Sequence, residues 1–181
     1  MLDVGCGEGY FTGAFARSLP AAEVWGIDIS RVGVDMAARR HSDANFAVAA
    51  ARDLPVLNAS TDALTSLFGP QEPTEFRRVL RRGGRALVVG PGSAHLIELR
   101  RRIYRDLRAP GRRTPLSWGE GFHLVGRAEI RGVIQLDAEG RRDVLAMTPY
   151  AWSAGREPQR VVAGLVSLTT HFLIHEWLRT V

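Results

Sequence analysis

Leu2-Asp3-Val4-Gly5-Cys6-Gly7-Glu8-Gly9-Tyr10 is the stretch that decides how the chain is read. A short apolar run enters a turn with glycine at every second position. A helical pattern follows over Phe11 to Leu19 and ends at Pro20. The order is strand, glycine loop, helix. Glycine takes positive φ without steric cost and lets a ligand approach the backbone closely, and the helix start offers N–H groups to a polar ligand. The dinucleotide fingerprint G-x-G-x-x-G would need glycine where Tyr10 stands, and here the third glycine comes one residue earlier, at Gly9. Asp28 closes a second apolar run, Val24-Trp25-Gly26-Ile27, at the spacing where an acidic residue binds a ribose hydroxyl pair.

Outward from that stretch, strands and helices alternate. The second strand is expected over Glu23 to Ile29. Ser30 is the expected N-cap of a helix over Val32 to Arg40. Asn45 to Ala49 reads as a third strand, and residues 50–55 as a loop. Asp62 to Phe68 reads as the fourth strand, closed by Gly69-Pro70. Thr74 is expected to cap a helix over Glu75 to Leu80. The turn Arg81-Arg82-Gly83-Gly84 precedes a fifth strand over Ala86 to Gly90. This rhythm predicts an α/β fold, a mostly parallel sheet with helices on both faces and ligand-facing loops at its C-terminal edge. Farther on, the pattern predicts an Arg-rich helix over His95 to Leu107, a strand over Leu124 to Leu136 and a short helix over Arg142 to Met147. A final amphipathic helix is expected from Pro158 to about Arg179. No repeat or internal linker divides the chain, so residues 1–181 are expected to form one domain.

The chain carries 24 basic residues against 19 acidic ones, and every basic residue is Arg. A GC-rich genome explains that bias, and so does a polyanion partner, since guanidinium pairs with phosphate as a fork. Composition alone does not separate the two. The single cysteine, Cys6, excludes an internal disulfide and a cysteine-cluster zinc site. No signal peptide or membrane span is visible, so a cytoplasmic location is expected. Only Met1-Leu2-Asp3-Val4 precede the glycine loop, fewer than the usual 5–6 residues of a strand. A truncated first strand is therefore expected: through a misassigned Met1, through a shortened gene, or because something else completes the strand.

Asp3-x-Gly5-x-Gly7-x-Gly9 resembles the first motif of class I S-adenosylmethionine (SAM) methyltransferases. Several further stretches are more selective: Phe68-Gly69-Pro70, Pro91-Gly92-Ser93-Ala94-His95-Leu96-Ile97-Glu98-Leu99, Met147-Thr148-Pro149-Tyr150-Ala151-Trp152 and Phe172-Leu173-Ile174-His175-Glu176-Trp177. Together they resemble the 23S rRNA (guanine-N1)-methyltransferases, over essentially the whole chain and in order. That family methylates one hairpin guanine and includes members tied to macrolide resistance. The resemblance implies a Rossmann-like SAM domain, SAM as cofactor and 23S rRNA as partner, and it leaves a homodimer open. It implies that Asp3, Gly5, Gly7, Glu8 and Gly9 form the cofactor loop, that Asp28 takes the ribose hydroxyls, that Arg52 flanks the adenine and that His95 touches SAM. The family's N-terminal four-cysteine zinc module is absent here, as is the segment joining it to the first strand. Ala50 and Ala51 stand where many class I enzymes place an acid against the adenine amine.

Guanine N1 lies on the Watson–Crick edge, so the target base must be unpaired or flipped. Phe68 is placed where a splayed base stacks, or else packs on the sheet edge. Arg101 and Arg102, within the Arg100 to Arg113 cluster, are candidate phosphate contacts if that cluster is not simply a solvated face. No residue declares itself the general base. Glu8 and His95 are candidates, and SAM contact alone accounts for both. His171 and His175 stand four apart, a spacing that holds a metal on a helix, but no third ligand is apparent and no metal is expected. Trp152 and Trp177 read as packing residues. Two alternatives stand beside RNA methylation: a small-molecule SAM-dependent methyltransferase, and a truncated non-catalytic RNA-binding remnant.

Overall fold

The structure, a computed structural model, describes residues 1–104, 118–147 and 158–181. In chain order the elements are β1 (Leu2–Val4), α1 (Tyr10–Ser18), β2 (Trp25–Asp28), α2 (Arg31–Arg40), β3 (Asn45–Val48), β4 (Thr61–Leu67), α3 (Pro73–Val79) and β5 (Leu80–Pro91). They continue with α4 (Ile97–Ile103), β6 (Phe122–Gln135), α5 (Ala138–Met147), α6 (Pro158–Val162) and β7 (Ser167–Arg179). The seven strands form one sheet in the order β3-β2-β1-β4-β5-β7-β6. The pairs β1–β2, β1–β4, β2–β3 and β4–β5 are all parallel. This is the mostly parallel Rossmann-like α/β architecture that the alternation of strands and helices predicts.

Two compact units divide the chain. Within the described residues, the first holds 1–90, 118–128 and 174–181, and the second holds 91–104, 129–147 and 158–173. In the first unit β1 is the pivot. Its three residues are all buried, and its neighbours are β2 on one side and β4 on the other. Strand order therefore reverses at β1, which makes the crevice beyond its C-terminal end the ligand position of an open α/β sheet. Leu2, Val4, Ile27, Leu64 and Val88 from the sheet pack with Phe76 and Val79 from α3. Trp118 stacks on Trp177 with ring centroids 4.7 Å apart and meets Phe76 and Phe122 edge-on. Trp177 is thus the packing residue that the sequence suggests. In the second unit Leu96 and Leu99 pack with Val162, Leu165 and Leu168.

Several boundaries differ from the sequence expectation for local reasons. Ser30 does cap α2, its Oγ accepting the Gly33 N–H at 3.2 Å. Thr74, by contrast, does not cap α3. The helix opens at Pro73, whose fixed φ suits a first helical position, with Glu72 at the cap. β5 begins six residues early, at Leu80, and carries the Arg81–Gly84 turn inside it as a bulge: Thr61 faces Leu80, while Ala63 already faces Arg85. α4 starts at Ile97 and not at His95, because Leu96 sits in the left-handed region at φ 49°.

The largest correction is at the C-terminal end. The expected helix from Pro158 to Arg179 is a five-residue helix, α6, followed by the long strand β7. Gly164, at φ 69°, breaks the helix. The buried residues of β7 include Leu168, His171 and His175, spaced three and four apart, which mimics helical periodicity. The mimicry arises because β7 lies between β5 and β6 and has neighbours on both sides, so burial along it does not follow the two-residue alternation of a half-exposed strand. His171 and His175 are therefore not a helical ligand pair. Among the described residues no group of three or more His, Cys, Asp or Glu is arranged to hold a metal. The Met147 to Trp152 stretch beyond Met147, Trp152 itself, and the arginines from Arg105 to Arg113 lie outside the described residues.

Phe76 is fully buried and carries the edge contact to Trp118. Phe76→Ala is expected to lower stability by about 3–5 kcal/mol, the usual range for a large aromatic lost from a core. A urea unfolding midpoint measured on both proteins checks it.

Candidate functional site

The glycine loop leaves β1 through two backbone bonds to one acceptor. The N–H groups of Gly5 and Cys6 both donate to Ile27 O, at 2.7 and 3.1 Å. Gly5 turns at φ 81°, and a Cβ there would lie 3.0 Å from Pro70 Cδ and 3.1 Å from Gly69 Cα. The stretch after β4 therefore closes against the loop, and only glycine fits between them. Gly7 differs. It also sits at positive φ, 53°, yet a Cβ there would meet nothing within 4 Å. Its side of the loop is open, which suits the close approach of a ligand to bare backbone. Gly9, at φ 78°, is the cap from which α1 starts.

Asp28 braces this loop from the end of β2. One carboxylate oxygen accepts the Gly7 N–H at 2.9 Å, and the other accepts the Ser30 N–H at 2.8 Å. Each oxygen keeps a second lone pair, so the carboxylate can accept a vicinal diol while holding the loop in place. Beside it lies a cavity lined by Gly5, Asp28, Ile29, Ala49–Ala51, Arg52, Pro70 and Glu72. The three alanines leave a smooth small-residue wall, and Ile29 is 72% exposed. A flat apolar wall next to a diol acceptor and a bare-backbone turn matches the chemistry of an adenosine with a charged tail, so these residues fit SAM. Arg52 lies on the lining of this cavity.

Other candidates land elsewhere. Asp3 is buried beneath the loop, where Thr12 and Thr65 donate their hydroxyls to its two oxygens at 2.6 and 2.8 Å. Burial holds its carboxyl above the usual range, opposed by those two bonds. It supports the loop from below. Glu8 projects outward and pairs with Arg40 at the end of α2. The Cys6 thiol is pushed up to about 12, first by burial and then by Asp3 and Asp28, so it stays protonated. Phe68 follows β4 at φ 58°, a strained conformation for an aromatic residue, and is 51% exposed.

In the second unit His95 is half-buried, with its ring 5.1 Å from that of Phe172. Burial, then His171 and Arg100, hold it below the ordinary histidine range. Arg101 is exposed on α4. Arg102 donates to the carbonyls of Val161 and Ala163, and the buried Arg100 donates to Ser93 O. Sequence reasoning did not single out Ile29, Pro70 or Glu72 on the cavity, nor the Arg40 partner of Glu8. Only Ile29 and Pro70 carried a signal, as neighbours of Asp28 and of the Phe68-Gly69 turn.

Asp28→Ala removes both the diol acceptor and the brace on Gly7. It is expected to weaken binding of SAM or its demethylated product at least tenfold, with the protein still folded. Titration calorimetry of the two proteins decides it.

Comparisons with known proteins agree with this geometry. Residues 1–90 match the family model described as a methyltransferase domain. A Streptomyces fradiae protein named 23S rRNA (guanine(748)-N(1))-methyltransferase is 33% identical over 84% of this chain and 55% of its own length. A Bacillus subtilis protein named as a 23S rRNA (guanine-N(1)-)-methyltransferase is 35% identical over 87% of this chain and 58% of its own. The chain thus spans somewhat more than half the length of the curated relatives it matches. A Bacillus halodurans structure titled as a methyltransferase superposes with TM-score 0.64 at 18% identity, over 99% of this chain and 92% of that one, which speaks to the fold. With the Asp28-braced glycine loop at the switch point of the sheet, the chain belongs to the class I SAM-dependent methyltransferases, with SAM as its cofactor.

Proposed function

We propose that residues 1–181 act as one methyltransferase domain that moves a methyl group from SAM to N1 of a guanine in a 23S rRNA hairpin. The Asp28–Gly7 brace beside the alanine wall carries the methyl-transfer half. The guanine half is supported by the names of relatives whose similarity extends over more than four-fifths of the chain.

Bound in this cavity, SAM supplies a methyl group already activated by a sulfonium. What remains for the chain is placement. Asp28 accepts the ribose hydroxyls, Gly7 leaves its backbone open to the ligand, and Gly5 lets the Gly69-Pro70 turn close the cavity's edge. Phe68, half-exposed at the end of β4, offers a face on which an unpaired guanine stacks. Arg101 supplies a phosphate contact, whereas Arg102 already serves α6 carbonyls.

The test is incubation of the full chain with SAM and a 23S rRNA hairpin, read by primer extension, since methylation at N1 blocks Watson–Crick pairing. A stop at one guanine, lost in Asp28→Ala, is expected. SAM turnover on small acceptors with no RNA stop would favour the small-molecule alternative, and absence of SAM binding would favour the remnant. Arg101→Ala should also reduce the slope of log K for RNA against log salt by about one. Arg102→Ala should change that slope less, and an unchanged slope in Arg101→Ala removes Arg101 from the interface.

A further inference from the structure

Within the first unit, the opening residues of α1 stand outside the packing that the rest of the helix makes. Thr12, Gly13 and Ala16 are its buried residues. Tyr10 is 74% exposed and Phe11 45%, and neither belongs to the hydrophobic core. Helix formation does not call for these rings either, since aromatic side chains lose rotamer freedom in a helix and alanine is preferred there. The two rings meet each other, with centroids 5.1 Å apart and planes at 89°. Rings set at right angles form a corner, in which a flat ligand stacks on the face of one and touches the other.

The corner adjoins the glycine loop without belonging to the cavity beside Asp28. Tyr10 directly follows Gly9, the cap of α1, and Gly7 is the open side of the loop. Neither ring lines the cavity. A ligand held by these rings therefore lies outside the cofactor's cavity and beside the loop, where the acceptor of the methyl group has to arrive. The start of α2 borders the same loop: a Cβ on Gly33 would lie 3.2 Å from Gly7 O. Arg31 opens that helix, is exposed, and among the described residues holds no carboxylate or carbonyl. Farther along α2, Arg39 is paired with Asp35 and Arg40 with Glu8. An exposed aromatic corner and an uncommitted guanidinium on one loop suit single-stranded nucleic acid, base on ring and phosphate on cation.

We propose that Tyr10 and Phe11 stack an unpaired base of the RNA strand, the neighbour of the guanine that is methylated, and that Arg31 holds the phosphate beside it. The inference rests on the rRNA reading of the function and adds to it two aromatic residues and a cation of the first unit. The stack needs a π face and not the tyrosine hydroxyl, because every base presents such a face. Stacking involves no charge, so it adds nothing to the salt dependence of binding, whereas a phosphate contact does.

The test is binding of a fluorescently labelled 23S rRNA hairpin to the full chain, read by anisotropy over a series of salt concentrations. Circular dichroism checks the fold of each variant, and calorimetry with the demethylated cofactor reports on the loop. Tyr10→Ala and Phe11→Ala should each weaken hairpin binding about 5- to 150-fold, the usual worth of one stacked base, with the salt slope kept. Tyr10→Phe should bind like the parent chain. Tyr10→Leu, apolar but without a π face, should bind like Tyr10→Ala. Arg31→Ala should lower the slope of log K against log salt by about one. Cofactor binding should be unchanged in every variant.

A parent chain that binds no hairpin at any salt overturns the inference together with the rRNA reading. Hairpin binding by the parent that Tyr10→Ala and Phe11→Ala leave intact overturns the inference alone. So does equal loss of hairpin and cofactor binding, which would make the rings supports of the loop. An unchanged salt slope in Arg31→Ala removes the phosphate contact. Hairpins with one abasic nucleotide each then locate the stacked base. Next to the methylated guanine, the abasic site and Tyr10→Ala should cost no more together than either does alone. Additive losses at every position would overturn the stack.

Discussion

A carboxylate buried in the middle of β1 holds up everything above it. Asp3 is 2% exposed, in a strand of only three residues. Burying a charge costs several kcal/mol unless it is hydrogen-bonded. Thr12 of α1 and Thr65 of β4 offset that cost, one hydroxyl to each oxygen. The same two bonds tie the first helix and the neighbouring strand to β1 directly beneath the glycine loop. So short a strand makes few ladder bonds, and Asp3 gives it lateral attachments that its length does not. Asp28 then fixes the loop from above through Gly7. One carboxylate sets where the loop starts and the other sets where it turns, and the cavity takes its shape from the two together.

The arginines follow a different logic from the one composition suggests. A chain with 24 basic residues and no lysine invites a phosphate-binding reading. Yet many guanidinium groups in the structure are committed to the protein's own carbonyls. Arg78 holds the carbonyls of Leu54 and Val56 together with Glu75. Arg100 holds that of Ser93, Arg102 those of Val161 and Ala163, and Arg141 those of Leu136 and Leu165. The fork geometry that suits phosphate suits a pair of loop carbonyls equally well. Arginine count is therefore a poor guide to nucleic-acid contact, and position decides: Arg101 and Arg102 are adjacent in sequence and differ in what they hold.

This is also where sequence reasoning stopped short. The β1–loop–α1 unit was legible because its determinants are local. Alternate glycines, the apolar run before them and Asp28 at the end of the next strand specify the motif almost without the rest of the chain. Ser30 as a cap was legible for the same reason. β7 was not, because its burial is set by neighbours on both sides, and residues 168, 171 and 175 then copy a helix. The roles of Asp3 and Glu8 were not legible either. Motif position places both in the loop region, but only the tertiary partners Thr12, Thr65 and Arg40 show that one faces inward and the other outward.

Those partners bear on the chemistry. Among the described residues of the loop and its brace, each ionisable side chain already holds a partner or a proton. Glu8 is paired with Arg40, both oxygens of Asp28 accept backbone N–H groups, and the Cys6 thiol is held protonated. Carboxylates engaged in holding the backbone are poorly placed for strong proton abstraction. The loop is well suited to a transfer whose donor arrives activated, where the rate depends on distance and angle. On that argument the loop's contribution is rigidity. The glycines give the backbone its path, and the two aspartates remove its freedom to leave it.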